Sequence, residues 1–458
     1  MAQITNKNKN AKSAYFLGIF KAQKDWASFT ASQQRFIEEF FNGRNIFLTG
    51  VGGSGKSYVA KKLFEFLDSV GYVYGKTSTT GVSAVNIGGT TINSWAGIGL
   101  ANEGIESILM KVDNNSKAKN RIKACKTLFI DEISMAKAEL LDIIDIVCQY
   151  IRNDGDPFGG IQVVFIGDLL QLPPVFKGFE QQRFAFDSDA WKSANVITVN
   201  LTEVMRQTNM KFIEFLNAIR EGKPYDEEII SECKNRTFPD DGIEALKILC
   251  TNDEVATGNA NKLRSLPGQS MMYTAIDSGP TNWLDFIEKN CIAQKTLELK
   301  VGAQVMLIWN LNVSAGLANG ALGKVVAMYP NAVEVKFANG ITEMIEPQSW
   351  EIAERELVGG KMMKKVIASR RQIPLKLAYY CTAHKTQSLT LDRIEIDMSR
   401  AFAEGQIYVA LSRVRSPEGL RIVGFDKSKI KVNKRIIDFY LDETAKMNAE
   451  AKTETFIS

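Results

Sequence analysis

The chain has 458 residues, 45% of them hydrophobic, enough to bury more than one core and to lead one to expect two or three domains. With 56 Lys and Arg against 52 Asp and Glu the net charge is only +4, so any affinity for a polyanion must be built locally. A single histidine (His384) excludes a multi-histidine metal centre. The 6 cysteines, with no C-x-x-C pair, argue against structural zinc and suit a cytoplasmic or DNA-containing compartment, and no apolar run approaches the roughly 20 residues of a membrane span.

Residues 1–24 hold Lys7, Lys9, Lys12, Lys21 and Lys24, no acid and no arginine, which predicts a flexible polar tail leading into a helix rather than a presequence. Phe29-Thr30-Ala31-Ser32-Gln33-Gln34 with Phe36, Ile37, Phe40 and Phe41 reads as a capped amphipathic helix. Gln33, just ahead of the next motif, could read an adenine edge by donating and accepting at once. Asn45 to Thr49 is a short apolar strand that runs into Gly50-Val51-Gly52-Gly53-Ser54-Gly55-Lys56-Ser57, the spacing of a phosphate-binding loop. The glycines let backbone N–H groups turn inward on a polyphosphate, and the helix that follows offers its positive end. Lys56 is expected at the β- and γ-phosphates of ATP, and Ser57 at Mg²⁺.

A second strand over 71–77 ends in Ser78-Thr79-Thr80-Gly81. Thr90-Thr91-Ile92-Asn93-Ser94-Trp95 follows, hydroxyl-rich and small enough for close approach to a phosphodiester backbone. Residues 114–130 lack acids and carry Lys117, Lys119, Arg121, Lys123 and Lys126, a pattern most often found on a solvated face. The apolar strand Thr127–Ile130 ends in Asp131 and Glu132, the pair a phosphate-loop enzyme needs to position Mg²⁺ and to orient or deprotonate a water. Leu140 to Ile151 is helical by period, and the buried strand Ile161–Ile166 leads to Gly167–Pro174. Gln171 there is placed to sense the γ-phosphate.

These stretches resemble the PIF (petite integration frequency) helicases, in the 5′→3′ branch of superfamily 1. The resemblance rests on Gln33, Gly50–Ser57, Thr77–Ala84, Thr91–Gly99, Asp131–Met135, Ala138–Gly160 and Gly167–Pro174. It continues through Leu201–Gln207, Tyr379–Ser388 and Gly405–Arg413, so it covers Phe29 to about Asp426. The resemblance implies an α/β fold of two RecA-like P-loop NTPase domains with parallel sheets, a small arm and an inserted SH3-like β-barrel. The expected division is a tail over 1–24, a first RecA-like domain over 25–195 with the arm at about 99–124, and a second over 196–299 and 373–458 that includes the C-terminal helix. The barrel falls at 300–372, where short β-runs alternate with Gly and Asn turns.

The resemblance also implies roles. Arg206 and Arg413 would reach the nucleotide from the second domain, Gln387 would lie near it, and Thr79, Thr91, Asn93, Ser94, Thr382, His384 and Lys385 would face DNA. The acid-free run Leu357–Leu391, with Lys361, Lys364, Lys365, Arg370, Arg371, Lys376 and Lys385, marks a candidate nucleic-acid face. Ser388 stands where the family usually has glycine, and Asn93 where histidine is usual. The implied activity is ATP-dependent 5′→3′ translocation with unwinding by a monomer acting on single-stranded and forked DNA, away from membranes. A translocase or protein-displacing remodeller without strong unwinding is the alternative.

Overall fold

The computed structural model describes residues 13–176, 180–249, 251–358, 361–387 and 389–457; Ser388 and the side chains of Lys361, Lys364 and His384 lie outside the described residues. A six-stranded parallel sheet organises the first half. Its strands are β1 (Ile46–Gly50), β2 (Tyr74–Ser78), β3 (Thr90–Thr91), β4 (Thr127–Asp131), β5 (Gln162–Ile166) and β6 (Ile197–Leu201), in the order β3-β2-β4-β5-β1-β6. All of β1 is buried, as expected of a parallel strand covered on both faces. Alternation sends Ile46 and Leu48 into the core under helices Ala31–Phe41 and Lys56–Ser69. Phe47 goes to the opposite core, with helix Ala138–Arg152 and Trp191. Because all strands run one way, the loops after β1, β4 and β5 emerge along a single edge.

Two short helices, Ile105–Asp113 and Ser116–Ala124, form the arm and fold back on the same core through Ile108, Val112, Ala118 and Ile122. Of the basic residues there, Lys119 pairs with Asp113 and Arg121 donates to the carbonyls of Ser94 and Trp95, while Lys117, Lys123 and Lys126 are exposed, as on a solvated face. The tail is shorter than its lysines suggest. Residues 13–21 are helical, and Phe20, only 1% exposed, packs against Trp26, Phe29, Phe41 and Phe66.

The second half contains β7 (Leu246–Leu249), β8 (Met271–Thr274), β9 (Ile276–Ser278), β10 (Thr296–Leu299), β11 (Gln304–Leu307), β12 (Leu322–Tyr329), β13 (Ala332–Phe337) and β14 (Thr342–Ile345). After them come β15 (Gln348–Val358), β16 (Lys361–Gln372), β17 (Leu375–Leu377), β18 (Tyr380–Thr382), β19 (Ile394–Asp397) and β20 (Leu420–Gly424). Four of these form a second parallel sheet, β18-β7-β19-β20, over a core with Leu246, Ile248, Ile394 and Ile396. Between β7 and β18 sits antiparallel structure: the five-stranded sheet β14-β13-β12-β11-β17, the pair β10-β8, and the long β15–β16 hairpin joined by β9.

The hairpin changes the reading of the acid-free run. Arg370 does not face outward. It is 1% exposed, donates to both oxygens of Asp277 at 2.8 and 2.7 Å and to the Ala293 carbonyl at 3.0 Å, and also pairs with Glu288. The acids that neutralise it come from β9 and a neighbouring helix, so an acid-free window in sequence is not acid-free in space. Arg370→Ala should cost about 3 kcal/mol in denaturant unfolding, the effect of stranding one partner of a buried pair. The salt dependence of nucleic-acid binding should not change.

The C-terminal helix Lys434–Ile457 follows the second sheet in sequence but packs on the first. Ile436 enters that core, and Phe439 stacks on Phe186 with centroids 4.5 Å apart. Glu443 accepts a hydrogen bond from Thr198 in β6. No helix among the described residues is long and apolar enough to cross a membrane.

Candidate active site

The loop after β1 needs its glycines for both conformation and space. Gly50, Gly53 and Gly55 have φ of +144°, +91° and +88°. A Cβ there would lie 2.6 Å from the Leu201 carbonyl, the Arg206 Cβ and the Gln33 Nε2 respectively. The loop is thus clasped between the end of β6, the segment that carries Arg206, and the helix that carries Gln33. Further anchors fix it: Met205 N–H donates to Gly53 O at 2.9 Å, and Gly52 N–H donates to the Tyr408 hydroxyl at 2.7 Å.

Lys56 opens the helix and turns its ammonium back on the loop, donating to the carbonyls of Gly50 (2.7 Å) and Val51 (3.1 Å). Burial of the ammonium lowers its pKa to about 8, against the opposing pull of Asp168 and Glu132. A polyphosphate would favour the charged form, so its binding should take up a proton at pH 8.5 and take up almost none at pH 6.5. Calorimetry in buffers of different ionisation enthalpy reads this directly. Equal heats in those buffers at pH 8.5 would show Lys56 to be already charged.

Ser54 Oγ and Gln33 Nε2 are buried with no hydrogen-bond partner among the described residues. Gln33 does not keep both halves of its amide for a base. Its Oε1 accepts the Thr30 N–H at 3.1 Å in a capping box, which leaves the amide nitrogen beside Gly55 as the available group.

Asp131 ends β4, and its carboxylate accepts from Ser83 Oγ at 2.8 Å; burial raises its pKa against that bond and the charge of Lys56. Glu132 adopts the left-handed region (φ +52°), which turns its side chain from the strand direction into the cleft. Gln387, just after the short helix Ala383–Thr386 that follows β18, donates through Nε2 to Glu132 Oε2 at 2.9 Å and to Gln171 Oε1 at 3.3 Å. One amide therefore joins a carboxylate of the first half to the second half of the chain.

Arg413 arrives from that second half, whereas Arg206 follows β6 of the first sheet and reaches across to it. Arg206 donates to Thr390 Oγ1 (3.1 Å) and the Ser412 carbonyl (2.8 Å), and burial followed by the nearby Arg413 lowers its pKa to about 9. Arg413 donates to the Val409 carbonyl (2.6 Å) and Ser412 Oγ (2.6 Å), and burial lowers its pKa as well.

A cavity of about 330 Å³ is lined by Gly52, Gly53, Gly55, Lys56 and Ser57, by Asp131, Glu132 and Gln171, and by Arg206 and Arg413. Segments more than 350 residues apart thus share one polar cleft, with cations facing carboxylates across it. Gly50, Ser54, Gln33 and Gln387 stand one layer behind. Sequence reasoning passed over Asp168, Tyr408, Thr390, Arg415 and Ser83. All but Tyr408 and Ser83 line the cavity, and those two bond to residues that do. A polar residue at the end of a buried strand was the signal available for Asp168.

The residues expected at DNA fall at strand ends of both sheets, and several have their polar atoms engaged. Thr79 Oγ1 donates to the Glu132 carbonyl (2.7 Å), Thr91 Oγ1 caps helix Ile92–Ala96 through Ser94 N–H, and Asn93 Nδ2 donates to the Gly99 carbonyl (2.9 Å). Thr382 is 2% exposed and its hydroxyl accepts from Lys385 N–H, so it shapes the turn rather than presenting a surface. Lys385 is exposed.

Comparison with known proteins adds to this geometry. Residues 29–229 match the model of the PIF1-like helicase, and residues 282–328 match that of the DNA helicase Pif1 2B domain. The chain is 39% identical over 413 residues to the Homo sapiens ATP-dependent DNA helicase PIF1, covering 89% of this chain and 63% of the human protein. It thus spans less than two-thirds of the length of such curated relatives. Two solved structures of Pif1 from Bacteroides align with it. The complex with ADP-AlF4 gives a TM-score of 0.80 at 32% identity, covering 91% of this chain and 97% of that one. The form bound to ssDNA gives 0.60 at 33% identity, covering 92% and 98%.

Proposed function

The chain belongs to the PIF1-like helicase family, and from that premise we propose that it is an ATP-dependent DNA helicase that moves 5′→3′ along one strand and separates duplex DNA. One observation carries the reading: Lys56, Asp131 and Glu132 of the first half line the same cleft as Arg413 of the second, with Arg206 from the segment between them. ATP binding in such a cleft links chemistry to relative movement of the two halves.

In this reading the loop amides and Lys56 hold the β- and γ-phosphates. Glu132, held by Gln387, orients or deprotonates the attacking water. Arg206 and Arg413 meet charge that develops on the transferred phosphoryl group. The hard oxygen donors Ser57 and Asp131 line the cavity and would hold Mg²⁺, which when bound would offset the charge of the phosphates. Among the described residues no cluster of three or more His, Cys, Asp or Glu could hold a metal ion.

Single-stranded and forked DNA are the proposed substrates, held along the strand ends at Thr79, Thr91, Asn93 and Ser94 and at Thr382, His384 and Lys385. Thr382 would act there through its turn. Alternating grips on the two sides, driven by closing and reopening of the cleft, give directional stepping.

The test is strand separation on duplexes that carry a single-stranded tail at the 5′ or the 3′ end. Only the 5′-tailed duplex should be unwound, and only with ATP. DNA-stimulated hydrolysis without strand separation would make the chain a translocase or remodeller. Unwinding from the 3′ tail would overturn the polarity.

A further inference from the structure

Arg220 and Tyr440 have no part in the chemistry above, yet they meet directly behind the cleft. Arg220 lies in the last turn of helix Met210–Glu221, which packs in the core of the second sheet. Its Nη2 and Nε donate to the two carboxylate oxygens of Asp168 at 2.7 and 3.0 Å. Asp168 follows β5 in the first sheet and is 1% exposed. Tyr440 belongs to the C-terminal helix. Its hydroxyl donates to Asp168 Oδ1 (3.3 Å), accepts the Leu169 N–H (3.1 Å) and lies 2.8 Å from Thr49 Oγ1, next to the phosphate loop. The guanidinium of Arg220 sits 5.2 Å from the centre of the Tyr440 ring.

Three bodies therefore converge on one carboxylate: the first sheet, the second sheet and the helix that returns from the second to the first. The chain crosses between halves beside this point. A Cβ on Gly222, at the end of the Arg220 helix, would lie 3.2 Å from Val432, two residues before the C-terminal helix begins. Pulling Arg220 away from Asp168 would strand two buried charges, which is strongly unfavourable, whereas rotation about them keeps both hydrogen bonds. The carboxylate also touches the cleft. Gln171 Nε2 is 3.4 Å from Asp168 Oδ2, and Gln171 Oε1 is joined through Gln387 to Glu132.

We propose that Arg220 and Tyr440 are positioning residues that make Asp168 the pivot about which the two halves turn as the cleft closes. The pivot sets where Gln171 and Gln387, and through them Glu132, stand at each end of the movement. Its coupling to turnover rests on the ATPase reading above; its mechanical part does not.

Tyr440→Phe keeps the ring beneath Arg220 and removes the hydroxyl, Arg220→Met removes the fork, and Arg220→Lys keeps a charge without the fork. Energy transfer between labels on the exposed positions Lys61 and Arg421, introduced as Lys61→Cys and Arg421→Cys, reports the distance between the halves. Without nucleotide the parent should give one narrow distance distribution, and Tyr440→Phe and Arg220→Met a broadened one. Single-strand-stimulated ATP turnover should fall about tenfold in both, the effect of losing a hydrogen bond to a charged group. KM for ATP and DNA-free turnover should stay within about twofold, since only a coupling interaction is removed. Arg220→Lys should recover part of the stimulation. Unchanged distributions in both variants, or turnover that falls equally with and without DNA alongside a lowered Tm, would overturn the pivot. A parent that hydrolyses no ATP with single-stranded DNA would sink the functional reading instead, and the nucleotide-free distributions would still decide the pivot.

Discussion

Lys56→Ala should lower ATP turnover by roughly 10²–10³-fold, the scale set by removing one preorganised donor from a charged transition state. Unwinding should fall with it, while single-strand affinity should stay close to that of the parent. The expectation is local: among the described residues the ammonium bonds to the carbonyls of Gly50 and Val51 and is felt by Asp168 and Glu132, none of them a proposed DNA contact. The fold should tolerate the change. The lowered pKa of Lys56 means that its charge is held against desolvation, so removing it relieves a cost rather than breaking a pair. A folded variant that loses single-strand binding in step with turnover would place Lys56 in the wrong site.

What the sequence revealed and what it hid divides by distance along the chain. The loop at Gly50–Ser57 and the Asp131-Glu132 pair were legible because each is a local pattern: an apolar run that makes a buried strand, then residues that only a strand end and a turn explain. Parallel strands then put those ends on one edge without further information. The contacts that turn the edge into a cleft are not local. Gln387 meets Glu132 across 255 residues, and Arg220 meets Asp168 across 52. A basic residue near a helix end looks the same in sequence whether it is solvated or buried on a carboxylate. Arg370 shows the converse error, since its charge suggested an outward face and its partners Asp277 and Glu288 lie more than 80 residues earlier. The C-terminal helix misled for a similar reason. Its apolar stripe of Ile436, Phe439 and Tyr440 predicts burial and does not say against which sheet.

Arg413→Ala should cost still more than Lys56→Ala, about 10³–10⁵ in DNA-stimulated turnover, the usual worth of an arginine that completes a phosphoryl-transfer site from another domain. The residue is 2% exposed and held by the Val409 carbonyl and Ser412 Oγ. A Cβ on Gly52 would stand 3.3 Å from its Nη2, so the guanidinium already lies against the phosphate loop. Burial lowers its pKa against the pull of Tyr408, Glu132 and Asp168, and its own charge in turn helps to lower that of Arg206. Two such cations in one cleft gain most when negative charge gathers on the group being transferred, and less when substrate merely sits there. Arg413→Ala should therefore bind a nonhydrolysable ATP analogue within about tenfold of the parent, because ground-state binding rests on the loop and Lys56. Single-strand binding should survive without nucleotide and no longer respond to it. Arg413→Lys should rescue little, because a point charge cannot hold Val409 and Ser412 and still present a planar fork to phosphate. Near-normal turnover in Arg413→Ala would mean that the second half does not complete the site. Hydrolysis would then have no direct hold on the movement of the halves, and the stepping mechanism would have to be abandoned.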